Sequence, residues 1–107
     1  LFPGSAEAAN QLTAVFNSGL VNLQTMLNQT LPNVDVRMLN LYALLNDIIE
    51  DPVSFGIINI EDACVTPNVP PFQCKKPSTY LFWDGVHPTK IVHGLIAQKA
   101  TEVLMLP

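Results

Sequence analysis

An aspartate and a histidine lie three residues apart in the segment Trp83-Asp84-Gly85-Val86-His87-Pro88-Thr89 of this 107-residue chain. At this spacing the carboxylate can accept a hydrogen bond from one imidazole nitrogen, which fixes the tautomer and leaves the other nitrogen free as a general base. We expect Gly85 to let the turn close and Pro88 to stiffen the backbone after His87. A capping aspartate beside a surface histidine has the same spacing, so the pair alone leaves both interpretations open.

The flanking residues place this pair between an apolar strand and a helix. Tyr80-Leu81-Phe82-Trp83 predicts a buried strand, residues 84–88 predict a turn, and the apolar spacing from Thr89 to Leu106 predicts a last helix with Thr89 as its N-cap. Open α/β sheets bind ligands at the carboxyl ends of their strands, and this turn would lie at such an end.

The remaining elements follow from apolar periodicity and from the positions of the prolines. They are a helix from about Ser5 to Thr30, a short strand over Val34–Leu39, a helix from Leu41 to about Asp51, a short strand or loop approach over Phe55–Ile60, and an irregular segment from Glu61 to Thr79. A strand followed closely by a helix is half of a βαβ unit. In the first helix we expect one apolar stripe to be the packing face: Ala9, Leu12, Phe16, Leu20, Leu23 and Leu27.

Both cysteines, Cys64 and Cys74, fall in the irregular segment, with three prolines between them. A disulfide that closes this loop would stabilise the fold by about 3 kcal/mol and would indicate an oxidising compartment. Two free thiols, as in a cytosolic protein, are the alternative. Because no other cysteine or histidine lies beside the pair, it makes a poor zinc site.

Composition limits the classes of partner. With only five lysines and arginines and a net charge of −4, the chain has no basic face for nucleic acid or for an anionic membrane surface. No apolar run is long enough for a membrane-spanning helix. Charged residues make up 13% of the chain and hydrophobic residues 49%. For a chain no longer than one domain this is unusually apolar, so we expect it to be a piece of a longer protein whose apolar faces pack against other segments.

The longer string from Phe82 to Thr89 resembles the final block of the GDSL (SGNH) lipases and esterases. The resemblance extends upstream over nearly all of the chain and is closest to the secreted plant-type and bacterial branch. Its upstream parts are Phe16-Asn17, the stretch from Leu41-Tyr42 to Asp51-Pro52, Phe55-Gly56 and Ala63-Cys64. It implies an α/β fold, part of a three-layer α/β/α, flavodoxin-like architecture with a parallel sheet. Residues 1–107 would then be the C-terminal portion of a single hydrolase domain and would supply only its later strands and helices.

The same resemblance implies an activity. Asp84 would orient His87, and His87 would deprotonate a serine and then protonate the leaving alcohol, so that a carboxylic ester is hydrolysed. The substrate would be an ester or a lipid, the protein would be secreted, and no metal or other cofactor would be required.

This sequence departs from the family pattern at the nucleophile. It lacks a Gly-Asp-Ser block, and the Asn17-Ser18-Gly19 triplet falls inside the predicted first helix. Asn46-Asp47 imitates part of the oxyanion block, but Leu44 stands where that block has glycine. We therefore expect the chain alone to be inactive, and a missing N-terminal half of the domain or a second copy to complete it.

Two alternatives stay beside this interpretation. The first is a non-catalytic binding or assembly module that keeps the same fold. The second concerns His93, which could join Asp84 and His87 around a metal ion, although the spacing fits no common zinc pattern and favours a histidine on the helix surface.

Overall fold

The structure, a computed structural model, describes residues 4–107, so the first three residues of the predicted domain lie outside the described residues. The chain divides after Met38 into two compact units, which are described separately. The first contains helix α1 (Ser5–Thr30). The second contains α2 (Leu41–Glu50), a 3-10 turn (Pro52–Phe55), strand β1 (Asn59–Ala63), a second 3-10 turn (Pro77–Thr79), strand β2 (Tyr80–Phe82) and α3 (Lys90–Met105).

Helix α1 has the predicted bounds, but its predicted packing face is correct only in part, because Ala9, Leu12, Phe16 and Leu23 are exposed. Leu12 is 72% exposed and Phe16 67% exposed, and Leu23 is exposed as well. The partly covered residues include two members of the predicted stripe, Leu20 and Leu27, while Thr13, Asn17 and Gln24 each lie one residue after a member of it. The full set is Ser5, Thr13, Asn17, Leu20, Gln24 and Leu27. The amides of Gln24 and Asn28 on this side donate to the Val36 carbonyl, so polar contacts select the covered face.

Residues 34–39 do not form the predicted strand. A strand requires a neighbouring backbone to satisfy its N–H and C=O groups. Here the Asn28 side chain takes that role, because its Oδ1 accepts from the Val36 N–H at 2.7 Å and its Nδ2 donates to the Val36 carbonyl at 2.9 Å. The alternating pattern therefore gives a segment that two side chains of α1, Asn28 and Gln24, hold at Val36.

Helix α2 begins and ends close to the predicted residues. Asn40 caps it, with Oδ1 accepting from the Ala43 N–H at 2.9 Å, and Pro52 follows its end. The strand predicted over Phe55–Ile60 is displaced, because Phe55 ends a 3-10 turn and the strand starts only at Asn59. Residues 61–63, predicted to be irregular, belong to β1.

Strands β1 and β2 form a two-stranded parallel sheet with the register Asn59↔Tyr80 and Ala63↔Phe82. This mixed arrangement of helices and a parallel sheet agrees with the predicted α/β class. The core of the second unit brings together side chains of α2, the sheet region and α3, namely Leu44, Ile48, Ile57, Leu81 and Val92. Across residues 4–107, no helix is both long enough and apolar enough to cross a bilayer.

Candidate active site

The turn between β2 and α3 folds back onto β2. The Trp83 N–H donates to the His87 carbonyl at 2.8 Å, and the Thr89 N–H donates to the Leu81 carbonyl at 3.0 Å. Thr89 precedes α3, as predicted, but its hydroxyl does not cap the helix. Instead Oγ1 donates to the Tyr80 carbonyl at 2.7 Å, and the residue is 2% exposed. A buried threonine thus fixes the end of the turn to the strand.

Both carboxylate oxygens of Asp84 are engaged within this turn. Oδ1 accepts from the N–H groups of Val86 at 2.8 Å and of His87 at 2.6 Å, while Oδ2 lies 2.7 Å from His87 Nδ1. The hydrogen bonds from the two N–H groups, followed by the bond to the ring, lower the pKa of Asp84 from 3.8 to about 2. The structure therefore brings the two predicted site residues into direct contact.

The contact determines what the imidazole can do. A neutral ring that donates its Nδ1 proton to the ionised Asp84 has an unprotonated Nε2. The His87 side chain is 72% exposed. Among residues 4–107, no hydrogen bond to Nε2 is present, so that nitrogen can accept a proton from a group that approaches from solvent.

Gly85 does not have the role predicted for it. Its φ lies outside the left-handed region, and a Cβ placed on it would meet no atom within 4 Å. The Asp84 side chain closes the turn instead, because a carboxylate that accepts from the next N–H groups imitates a backbone turn.

The disulfide-closed loop lies at the same edge of the sheet. Cys64 and Cys74 are joined, so the alternative of two free thiols is not the state in this structure. The Cys64 N–H donates to the Phe82 carbonyl at 3.0 Å, and the Val65 N–H donates to the Trp83 carbonyl at 2.8 Å. Because β1 and β2 are parallel, their carboxyl ends meet at one edge, and the disulfide holds the loop there beside the Asp84–His87 turn.

None of the serines among the described residues is hydrogen-bonded to His87. Ser5 and Ser18 belong to α1, Ser54 donates to Asp51 Oδ2, and Ser78 belongs to the second 3-10 turn. Within the described part of the chain, no hydroxyl is hydrogen-bonded to the imidazole of His87. Asn46-Asp47 lies in α2, where the Asn46 Nδ2 donates to the Tyr42 carbonyl.

His93 lies in the first turn of α3 and is exposed. Over residues 4–107, no group of three or more His, Cys, Asp or Glu side chains is arranged to hold a metal ion.

An open groove of about 820 Å³ lies beside the turn and was missed in the sequence. It is lined by Pro77, Ser78, Trp83, Thr89, Lys90, Ile91 and Gly94. The walls are mainly apolar, and Lys90 is their one charged residue. The second 3-10 turn (Pro77–Thr79) was part of the segment predicted to be irregular. Apolar periodicity therefore could not indicate that this turn lies against α3. The single indication of the groove in the sequence is Gly94, a poor helix former that lies one turn after Lys90.

The chain is similar to curated plant proteins from Arabidopsis thaliana. One GDSL esterase/lipase is 32% identical over 93 residues, which is 87% of this chain and 27% of that protein. GDSL esterase/lipase 7 is 30% identical over 103 residues, covering 88% of this chain and 28% of the relative. The anther-specific proline-rich protein APG is 32% identical over 100 residues, which is 84% of this chain and 19% of that protein.

The chain thus spans less than a third of the length of these relatives. No protein-family model matches it. No solved structure matches it either. The relatives nevertheless cover most of this chain at a consistent level of identity, including several named as esterases or lipases. By these similarities the chain belongs to the GDSL esterase/lipase family.

Proposed function

We propose that this chain is the C-terminal portion of a GDSL-type serine hydrolase domain in which Asp84 and His87 belong to a Ser-His-Asp triad. The observation on which the proposal rests is the 2.7 Å contact between Asp84 Oδ2 and His87 Nδ1, with the opposite side of the ring open to solvent. Its position at the carboxyl ends of two parallel strands supports the same assignment.

In this mechanism His87 Nε2 accepts the proton of a serine hydroxyl while the serine oxygen attacks the ester carbonyl. The resulting imidazolium is stabilised by the ionised Asp84 and then protonates the departing alcohol, which leaves an acyl-serine. A water molecule attacks the acyl-serine with His87 again as base, and the carboxylic acid is released. Asp84 keeps its charge throughout, since its two backbone hydrogen bonds and the ring contact all favour the carboxylate.

The serine and the oxyanion-hole donors come, in this proposal, from residues outside the chain. We assign them to an N-terminal half of the same domain, or to a second copy, with the complete domain forming a three-layer α/β/α fold. Residues 1–107 would supply its later strands and helices. The short two-stranded sheet and the exposed apolar residues of α1 are consistent with an incomplete fold.

The proposed substrate is a carboxylic ester, such as a lipid ester, because several relatives are named esterase/lipases. The proposed location is extracellular. The Cys64–Cys74 disulfide supports an oxidising compartment, since such bonds persist mainly there.

The test is to co-express this chain with the segment that precedes it in the parent protein and to measure hydrolysis of short-chain nitrophenyl esters. We expect His87→Ala to abolish the activity and His93→Ala, a change to an exposed histidine of α3, to leave it intact. Full activity in His87→Ala would refute the assignment of His87 as base.

The second candidate is a non-catalytic binding or assembly module of the same family. The observation in its favour is that no serine hydroxyl is hydrogen-bonded to His87 within residues 4–107. A parent protein without a Gly-Asp-Ser block, or one that binds esters without hydrolysing them, would decide for the module.

A further inference from the structure

The groove beside the turn combines an apolar wall with one cation. Trp83 and Ile91, each 39% exposed, contribute large apolar side chains, and Gly94 leaves open space between them and the following turn of α3. Lys90, the first residue of α3, is the one charged residue of the lining. Among the described residues, no carboxylate lies within ion-pair distance of its ammonium group.

The start of α3 adds to the positive potential at this end of the groove. The Thr89 hydroxyl is committed to the Tyr80 carbonyl, so it leaves the first N–H groups of the helix without a side-chain cap. The helix dipole therefore reinforces the charge of Lys90. A ligand that suits both features has an alkyl chain and an anionic head group.

We propose that this groove binds a fatty carboxylate, with the alkyl chain against Trp83 and Ile91 and the carboxylate paired with Lys90. The volume of about 820 Å³ falls in the usual range for small-molecule sites. The groove is lined by residues on both sides of the Asp84–His87 turn, where a released acid product would first be found. This choice of a carboxylate rests on the proposed function, whereas the binding itself does not require catalysis.

Trp83 is the only tryptophan, so the chain contains a reporter inside the proposed site. The experiment is to titrate the 107-residue chain with laurate below its micelle concentration and to follow tryptophan emission. Dodecyltrimethylammonium, which has the same chain length and the opposite charge, is the matched ligand. We expect a saturable blue shift with laurate, and binding of the cation that is about tenfold weaker or more.

Three variants separate the head-group contact from the apolar contact. Lys90→Gln should weaken laurate binding by about fivefold and remove most of the difference between the two ligands. Lys99→Gln, at an exposed lysine later in α3, should change neither affinity. Gly94→Leu should fill the groove and weaken both ligands; because the site is open and leucine favours helix, the variant should remain folded.

Equal laurate affinity in Lys90→Gln and Lys99→Gln would overturn the proposal. Tryptophan emission that is blue-shifted before laurate is added, and that does not change on its addition, would also overturn the proposal. If that emission depended on protein concentration, the occupant of the groove would be a second copy of the chain. The proposed function is tested separately. Ester hydrolysis that is retained in His87→Ala would refute the catalytic role of His87, but it would not affect laurate binding in the groove.

Discussion

Asp84 holds His87 in two ways, since Oδ2 lies 2.7 Å from the ring nitrogen Nδ1 while Oδ1 accepts the His87 backbone N–H at 2.6 Å. One carboxylate therefore fixes both the backbone and the ring of the same histidine. The arrangement needs only four consecutive residues, so the turn can present an oriented imidazole without a contribution from any distant segment.

The first prediction concerns the ring contact. In the complete hydrolase domain that we propose, Asp84→Asn should lower kcat by about 10³- to 10⁴-fold, because an amide can donate to Nδ1 and favour the wrong tautomer. Steady-state hydrolysis of a nitrophenyl ester measures the effect, with Asp47→Asn on α2 as the matched control. A loss of less than tenfold in Asp84→Asn would contradict the orienting role of Asp84.

The second prediction concerns acid stability. The pKa of Asp84 is about 2 in the folded chain and 3.8 when the group is unperturbed, so the unfolded state binds more protons between these values. The stability that Asp84 contributes is thus complete above about pH 4 and is lost as the pH falls towards 2. Denaturant midpoints followed through Trp83 emission should decline more steeply over this range in the parent chain than in Asp84→Asn. If the denaturant midpoints of the two proteins decline equally steeply below pH 4, the Asp84 carboxylate is not held by the hydrogen bonds described.

The Asp84–His87 contact could be predicted from spacing because it is local, and the helices could be predicted because prolines and apolar periodicity mark their ends. Pro32 follows α1, and Pro52 follows α2. The prediction of a strand at Val34–Leu39 was wrong. Alternating apolar and polar residues suit one strand of a sheet, but they do not supply the neighbouring strand with which it must pair. Val36 is bonded to Asn28 instead.

The groove could not be predicted for a related reason. Pro77 and Ser78 meet α3 only through the tertiary fold, and neither residue belongs to a periodic pattern. The displacement of β1 has the same origin. Phe55 is a residue type that is common in strands, but here it is the last residue of the 3-10 turn that begins at Pro52.

The third prediction concerns the disulfide. Replacing both Cys64 and Cys74 with alanine should lower the free energy of unfolding by about 3 kcal/mol, because the cross-link restricts a loop of the unfolded chain. Equilibrium denaturation of the oxidised parent chain and of the variant gives the value. A reductant should lower the midpoint of the parent chain and leave that of the variant unchanged. The same reductant response in both proteins would contradict the prediction.

The fourth prediction compares two glycines. Gly56 has a φ of 75° and ends the 3-10 turn, so Gly56→Ala should destabilise the fold by about 1–2 kcal/mol. Gly85 has neither a left-handed backbone nor a close neighbour, so Gly85→Ala should change stability by less than about 0.5 kcal/mol. Denaturation midpoints of the two variants test the difference. Equal losses would mean that the Asp84–His87 turn does need glycine, as the sequence first suggested.

The last prediction concerns Asn28 as a substitute for a neighbouring strand. Its side chain makes two hydrogen bonds with Val36, and Gln24 donates to the same carbonyl at 2.9 Å. Asn28→Ala removes the acceptor of the Val36 N–H, so the amide of Val36 should exchange with solvent faster and the first unit should lose about 1–2 kcal/mol. Hydrogen exchange followed by NMR measures both effects locally. Asn22→Ala, an exposed position on the same helix, should leave Val36 exchange unchanged. If Val36 exchanges equally fast in the parent chain and in Asn28→Ala, the Asn28 side chain does not protect this amide and does not take the place of a neighbouring strand.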